Sequence, residues 1–237
     1  MALGSKPKAA VISTGNGEID KKMGGGIPQG SLTIVEGHSD AGKSVLVQQL
    51  TWGSLSQGCS VAVITTENTV TSLIRQMTSL SFDVMDHFLL GKLRIHPMQA
   101  AKQRDDPTSG LTSLLQVIER ERGRALIVVD SLTGFISHVS PEDAIAFFEG
   151  CKKHTKGGST LLLVVHAYAF SESTLVRLSS LCDAHLRLRI EQVGAQLMKV
   201  MEVAKVRGAQ KTTGNIVSFE VEPNWGMRII PFSRARA

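Results

Sequence analysis

Four short apolar runs punctuate the chain: SLTIVE at 31–36, CSVAVIT at 59–65, ALIVVD at 125–130 and TLLLVV at 160–165. Each is nearly continuous rather than alternating, which predicts strands buried on both faces. The segments between them carry helical periodicity. In GLTSLLQVIERERG, Leu111, Leu114, Leu115 and Ile118 share one helical face before charge and a glycine end the pattern. SPEDAIAFFEGCKK offers Ser140 as N-cap, Pro141 at the first helical position and acidic residues in the first turn, with Ala144, Ile145, Phe147 and Phe148 behind them. Buried strands alternating with helices predict an α/β fold, a mainly parallel sheet with helices on both faces. From Ala184 onward HLRLRIEQ, QLMKVMEVAKV, NIVSFEVE and GMRIIP alternate apolar with polar residues between short Gly or Pro signals. That texture predicts a C-terminal antiparallel extension of the same sheet.

Composition narrows the picture only a little. The 237 residues, 42% hydrophobic, suit one domain over 18–237, preceded by an aperiodic N-terminal arm at 1–17 that reads as mobile or as an edge element. There is no apolar run of about eighteen residues and no charged-then-apolar leader, so the expectation is a cytoplasmic protein without a membrane span. Cys59, Cys151 and Cys182 are widely separated and lack CxxC pairing, which argues against a disulfide framework or a zinc site and for reduced thiols. A net charge of +5 permits an anionic partner, whether nucleotide, nucleic acid or acidic lipid, and selects none of them.

Chemistry enters with GHSDAGKS at 37–44, which satisfies GxxxxGK[ST] between a strand and SVLVQQLTWGSLSQG, a helix that Gly58 can end. A phosphate loop needs glycine where backbone crowds the phosphates, and successive N–H groups at the helix N-terminus hold the anion. Gly37, His38, Ser39, Asp40, Ala41, Gly42, Lys43, Ser44 and Val45 are therefore the candidate nucleotide-binding residues. Lys43 would reach the β- and γ-phosphates, and Ser44 would hold Mg²⁺ through its hydroxyl. Asp40 is an anion inside an anion-binding loop, so its side chain points away from the phosphates or toward a cation. In ALIVVDS, Asp130 ends a strand at the carboxyl edge of the sheet, where it can take the Mg²⁺ water shell. The cofactors expected are ATP and Mg²⁺.

GGGIPQGSLTIVEGHSDAGKS resembles the start of the KaiC-like branch of the RecA superfamily. The finer pattern of GKLRIHPM, VVHAYAF and VEPNWGMRIIP is similar to the archaellum protein H family (FlaH, ArlH), and the likeness runs from Ile19 to Phe232. The resemblance implies a RecA/KaiC-like core and an ATP-binding protein of the archaeal motility motor. It implies a homo-oligomeric ring, a hexamer, partnered by the motor ATPase and its scaffold and platform proteins, peripheral to the membrane through them. AKVRGA at 204–209 is similar to the K-x-R-G-[ST] element whose Lys and Arg reach the nucleotide of the next subunit, with Ala209 replacing the hydroxyl residue. On a strand, Lys205 and Arg207 face one side, as two fingers on a phosphate require; the plain alternative is a solvated basic edge.

Hydrolysis turns on VITTEN at 63–68. The resemblance expects two adjacent glutamates at this strand end, and the chain has Thr66 and Glu67. A threonine cannot accept a proton as a carboxylate does, and loss of a placed base costs on the order of 10²–10⁴ in rate. Glu67 is the candidate catalytic residue for slow or absent turnover; otherwise it supplies first-turn charge to the helix NTVTSLIRQMTSL. His166, ending TLLLVV, is a candidate γ-phosphate sensor or a simple packing residue. The rival class is a DNA-dependent ATPase on the same core. It would want basic or aromatic residues in SLTGFISHVSPED and HAYAFSESTLVRL, where Arg177 is the sole Arg or Lys, so nucleic acid is not expected. The cluster KKHTK at 152–156 and Arg234 with Arg236 face solvent, an acidic partner or anionic lipid.

Overall fold

The computed structural model describes residues 11–99, 108–193, 196–209 and 216–230. Arg234, Arg236 and the first ten residues of the arm lie outside that range. The rest of the arm enters a small two-stranded sheet separate from the main one: β1 (Val11–Ile12) pairs antiparallel with β2 (Ile27–Pro28), with α1 (Gly17–Lys22) between them. Ile12 is fully buried, and the hydroxyls of Ser13 and Thr14 donate to the Asp20 carboxylate at 2.5 and 2.7 Å. Asn16 caps α1, its side chain accepting from the N–H of Glu18 and Ile19.

The remaining elements follow in order: β3 (Leu32–Gly37), α2 (Lys43–Ser56), β4 (Val61–Thr65), α3 (Val70–Ser79), α4 (Met85–Leu89), β5 (Leu93–Pro97), α5 (Ser109–Arg120) and β6 (Leu126–Asp130). Then come α6 (Thr133–Ile136), α7 (Pro141–Thr155), β7 (Thr160–His166), α8 (Glu172–Leu181), β8 (Ala184–Val193), β9 (Gln196–Val206), β10 (Ile216–Glu222) and β11 (Gly226–Ile230). Eight to eleven join three to seven in one nine-stranded sheet ordered β11-β10-β9-β8-β3-β7-β6-β4-β5. The six strands from β8 to β5 are mutually parallel, and β9, β10 and β11 extend the sheet antiparallel from β8; β8 itself, which the alternation after Ala184 assigned to the antiparallel part, runs parallel to β3 because α8 crosses over the sheet between β7 and β8. β5 is a strand that the apolar runs did not announce. It closes an edge, and its pattern of buried Leu93 and Ile95 around exposed Arg94 reflects one covered face.

Side-chain alternation along the parallel strands builds a core on each face of the sheet. Val35, Val61, Val63, Val128 and Val164 pack with Leu46, Val47 and Leu50 of α2 and Leu73 and Met77 of α3. Ile34, Ile64, Ile127, Val129, Leu163 and Val165 pack on the other side with Leu114 and Ile118 of α5, Phe147 and Phe148 of α7 and Leu178 of α8. Helix ends follow the chain's signals. Ser140 accepts from the Asp143 N–H ahead of Pro141, and α2 stops just before Gly58 at a φ of 81°. Lys152 and Lys153 fall in the last turn of α7, where cations suit the helix dipole, and Lys152 pairs with Asp183 instead of standing free in solvent. Cys151 and Cys182 are buried free thiols; burial pushes the Cys182 thiol up to about 12, so neither ionises readily. No helix among the described residues is long and apolar enough to cross a membrane.

Candidate functional site

Strand register brings the site together. At the carboxyl ends of the parallel strands Gly37 of β3 lies opposite His166 of β7, and Thr65 of β4 lies opposite Asp130 of β6. Three segments far apart in the chain thus end on one line, with the loop 38–42 rising from Gly37 into the first turn of α2. This is the crevice that open parallel sheets present to ligands. It holds a cavity of about 580 Å³ lined by Ser39, Asp40, Gly42, Lys43, Ser44 and Val45 of the loop and by Glu67, Asp130, Ser131 and His166.

Two glycines make the loop possible. A Cβ on Gly37 would stand 2.2 Å from the Leu188 carbonyl oxygen of β8, so only a bare Cα fits between loop and sheet. Gly42 precedes α2 at a φ of 93°, in the left-handed region, with the Phe219 ring 3.0 Å from where a Cβ would sit. Asp40 also takes positive φ, at 60°. Its carbonyl accepts from the Lys199 ammonium, and its carboxylate is near enough to favour the charged form of Lys43, so it answers a cation.

Lys43 is buried and donates to the carbonyls of Gly37 and His38 at 3.0 and 2.6 Å. Burial pulls its pKa below the ordinary lysine value, while Asp130, Glu67 and Asp40 oppose that. The Ser44 hydroxyl lies on the Asp130 side of the cavity and favours the charged form of that carboxylate. Asp130 is 8% exposed, and burial pushes its pKa up to about 6, aided by the charge of Glu67. His166 stacks on the exposed Tyr168 with ring centroids 5.1 Å apart, and its Nδ1 is buried without a hydrogen-bond partner. Burial and the Lys43 charge pull its pKa down, so it presents a neutral ring to the cavity.

The donor set fits a nucleoside triphosphate with magnesium. The N-terminus of α2 lacks a side-chain cap on its first N–H groups, a lysine is held at the loop, and a hydroxyl beside a carboxylate is the sparse oxygen set that Mg²⁺ accepts from protein. Among the described residues no cluster of three or more His, Cys, Asp or Glu forms a denser metal site. Bound magnesium would supply charge neutralisation at the phosphates and favour ionised Asp130. Lys43 and the loop N–H groups would bind phosphate, and Ser44 with Asp130 would orient the ion's shell.

Thr66 and Glu67 stand where the sequence placed them, with different surroundings from those expected. The Thr66 hydroxyl is engaged by Ser131, accepting from its N–H and donating to its carbonyl. Glu67 lies exposed at the cavity, and the helix beyond it begins with Thr69 as N-cap, so Glu67 is not first-turn charge of α3. Lys205 and Arg207 do not meet this chain's own cavity. They sit at the opposite end of the sheet, where Lys205 donates to the carbonyls of Ser179 and Cys182 at 2.7 Å each and Arg207 to that of Ser180 at 3.2 Å. They share a side, as their spacing required, and they hold the C-terminus of α8 rather than forming a bare solvated edge. Three lining residues escaped the sequence: Ser131 follows Asp130 directly, and Lys199 and Val221 reach the loop from β9 and β10. Alternation marks Lys199 only as one of several polar positions on its strand, and no local signal says that the ribbon folds back over α2.

A phosphate loop at the carboxyl edge of this strand order defines a RecA-type nucleotide-binding core. A family model described as "ATPase: KaiC" matches residues 12–234. An archaeal flagellar ATP-binding protein FlaH of Sulfolobus acidocaldarius is 31% identical over 230 residues, which cover 96% of this chain and all of the relative. The crystal structure of flagellar accessory protein FlaH from Methanocaldococcus jannaschii superposes with a TM-score of 0.82 at 28% identity, covering 94% of this chain and all of that one. A KaiC-like protein of Pyrococcus horikoshii shares the fold with a TM-score of 0.75 at 19% identity, over 94% of this chain and all of that one. The chain belongs to the FlaH family of KaiC-like ATPases.

Proposed function

We propose that this chain is an ATP-binding assembly protein of the archaellum motor, taking MgATP at the loop 37–44 and turning it over slowly or not at all. The observation that carries the binding half is the convergence of Lys43, Ser44, Asp130 and His166 on one cavity at the carboxyl edge, in a chain whose relatives are named for ATP binding. Slow turnover is supported by the engagement of Thr66 with Ser131, which leaves Glu67 as the single acid of the expected pair. Lys205 and Arg207 then serve the nucleotide of a neighbouring copy in a hexameric ring, and the assembled ring supports the motor ATPase and its platform at the cytoplasmic face. Their separation from this chain's own cavity supports that assignment, because a group acting in trans must face outward from its own subunit.

The test is phosphate release from MgATP with and without the motor ATPase, alongside sedimentation of the Lys205→Ala and Arg207→Ala proteins. Expected are tight binding, release far below motor rates, and variants that bind ATP yet stay monomeric. Brisk release abolished by Glu67→Ala would overturn the slow-turnover reading, and ATP-induced rings from both variants would overturn the trans assignment.

A further inference from the structure

On the sheet face covered by α8, a row of polar side chains lies beneath the phosphate loop without belonging to the cavity. Its centre is His185 of β8, which is 1% exposed. A buried imidazole is costly unless its nitrogens are partnered. Nδ1 lies 2.9 Å from the Ser179 hydroxyl of α8, and Nε2 lies 3.3 Å from Glu36 Oε2. Glu36 precedes Gly37 of the loop directly, and its other oxygen accepts from Arg187 Nε at 2.8 Å. The Ser179–Nδ1 pair is the aligned hydrogen bond of the ring, with its donor set by the tautomer, and Nε2 faces the carboxylate. The Glu36 to His185 contact is close but not aligned as a hydrogen bond, which makes it the loosest joint in the row.

The row ends where Lys205 and Arg207 are seated, since the carbonyl of Ser179 itself accepts from Lys205 and that of Ser180 from Arg207. At the loop end there is a source of change. Phosphate groups compete with the Gly37 and His38 carbonyls for the Lys43 ammonium, and the Gly37 carbonyl is also bound by the Ala167 N–H. Gly37 pairs with Leu188 in the β3–β8 ladder and its Cα packs too close to that carbonyl for any side chain, so β8, the strand that carries His185, is the direct neighbour of the loop's first residue. A ligand moves an equilibrium only through such differential contacts.

We propose that Glu36, His185 and Ser179 form a buried polar link that couples occupation of the phosphate loop to the α8 C-terminus, with His185 as its positioning residue. Through it, nucleotide sets how firmly α8 holds Lys205 and Arg207, and so how available they are to a neighbouring copy. That consequence rests on the trans reading of the two residues; the link itself lies within one chain.

Amide hydrogen exchange on dilute protein, shown by sedimentation to be monomeric, tests the link with and without saturating MgATP. Ser179→Ala removes the hydroxyl at a partly exposed helix position, Ser179→Thr keeps it, and His185→Gln removes the imidazole. In the unaltered protein and Ser179→Thr, MgATP is expected to change exchange at residues 179–183 on the order of five-fold. In Ser179→Ala and His185→Gln that change falls below about twofold, while the change at 37–44, which reports binding, stays. An undiminished response at 179–183 in Ser179→Ala overturns the link, as does its absence in the unaltered protein when 37–44 responds. A link that behaves as expected beside Lys205→Ala and Arg207→Ala proteins that still form rings would instead reject only the trans reading.

Discussion

Thr66 and Ser131 hold one another reciprocally across the ends of β4 and β6. Thr66 Oγ1 accepts from the Ser131 N–H and donates to the Ser131 carbonyl, both at 3.1 Å, and the Thr66 N–H donates to the Asp130 carbonyl at 3.0 Å. A side chain at the position where related enzymes are expected to carry an acid is thereby spent on fixing the backbone of the Asp130 strand end. Thr66→Val keeps the shape and removes both hydroxyl bonds, leaving a partly buried N–H without its acceptor. Denaturant unfolding should show a loss of about 1–3 kcal/mol.

Lys43 already holds two backbone carbonyls, so exchanging these for phosphate trades one set of charge-assisted bonds for a stronger one. Lys43→Ala should weaken MgATP binding by about 1.5–3 kcal/mol, roughly 10- to 150-fold in Kd by calorimetry, with little change in unfolding free energy.

Asp130 gives a prediction of opposite sign for stability and for binding. Burial holds its folded pKa at about 6, above the ordinary aspartate value of 3.8, so the folded state prefers the protonated acid. The stability this group contributes is therefore complete below about pH 4 and is lost as pH rises through about 6. In nucleotide-free protein near pH 7.5, Asp130→Asn should stabilise by about 2–3 kcal/mol, and the gain should shrink toward zero near pH 4. The same variant should lose the extra stabilisation that magnesium adds to ATP, since the carboxylate meant for the ion's shell is gone. Parallel urea curves at the two pH values, with and without MgATP, measure both effects.

Gly42→Ala forces a side chain into the left-handed region and against the Phe219 ring, at a cost of about 1–3 kcal/mol. Phe219→Leu should lower stability on its own yet recover part of the loss when combined with Gly42→Ala. A double-mutant cycle by thermal unfolding reads that coupling, and strict additivity would show that strain at Gly42 alone sets the cost.

Much of this site is written locally. The loop 37–44 and Asp130 are legible because a strand, a turn and a helix N-terminus are each short-range, and β3, β4, β6 and β7 are announced by apolar runs that only a doubly covered sheet tolerates. β5 gives no such run because an edge strand has one covered face, and β1 and β2 are too short to carry a period. The roles of Thr66, Lys199 and His185 depend on partners dozens of positions or more away, Ser131, Asp40 and Glu36, whose proximity is a product of strand order. From β9 onward the C-terminal ribbon read correctly as antiparallel strands, yet alternation does not say which face meets α2.

The contact of Gly42 with Phe219 also bears on how the molecule comes into being. The loop is made early in synthesis, but the ring beneath it belongs to β10, near the end of the described chain. A nascent chain that has completed β3 and α2 therefore has every loop residue and still lacks the floor on which the loop rests. Loop and ring can meet only once β10 has been made, so the packing around Gly42 is completed by one of the last strands of the described chain.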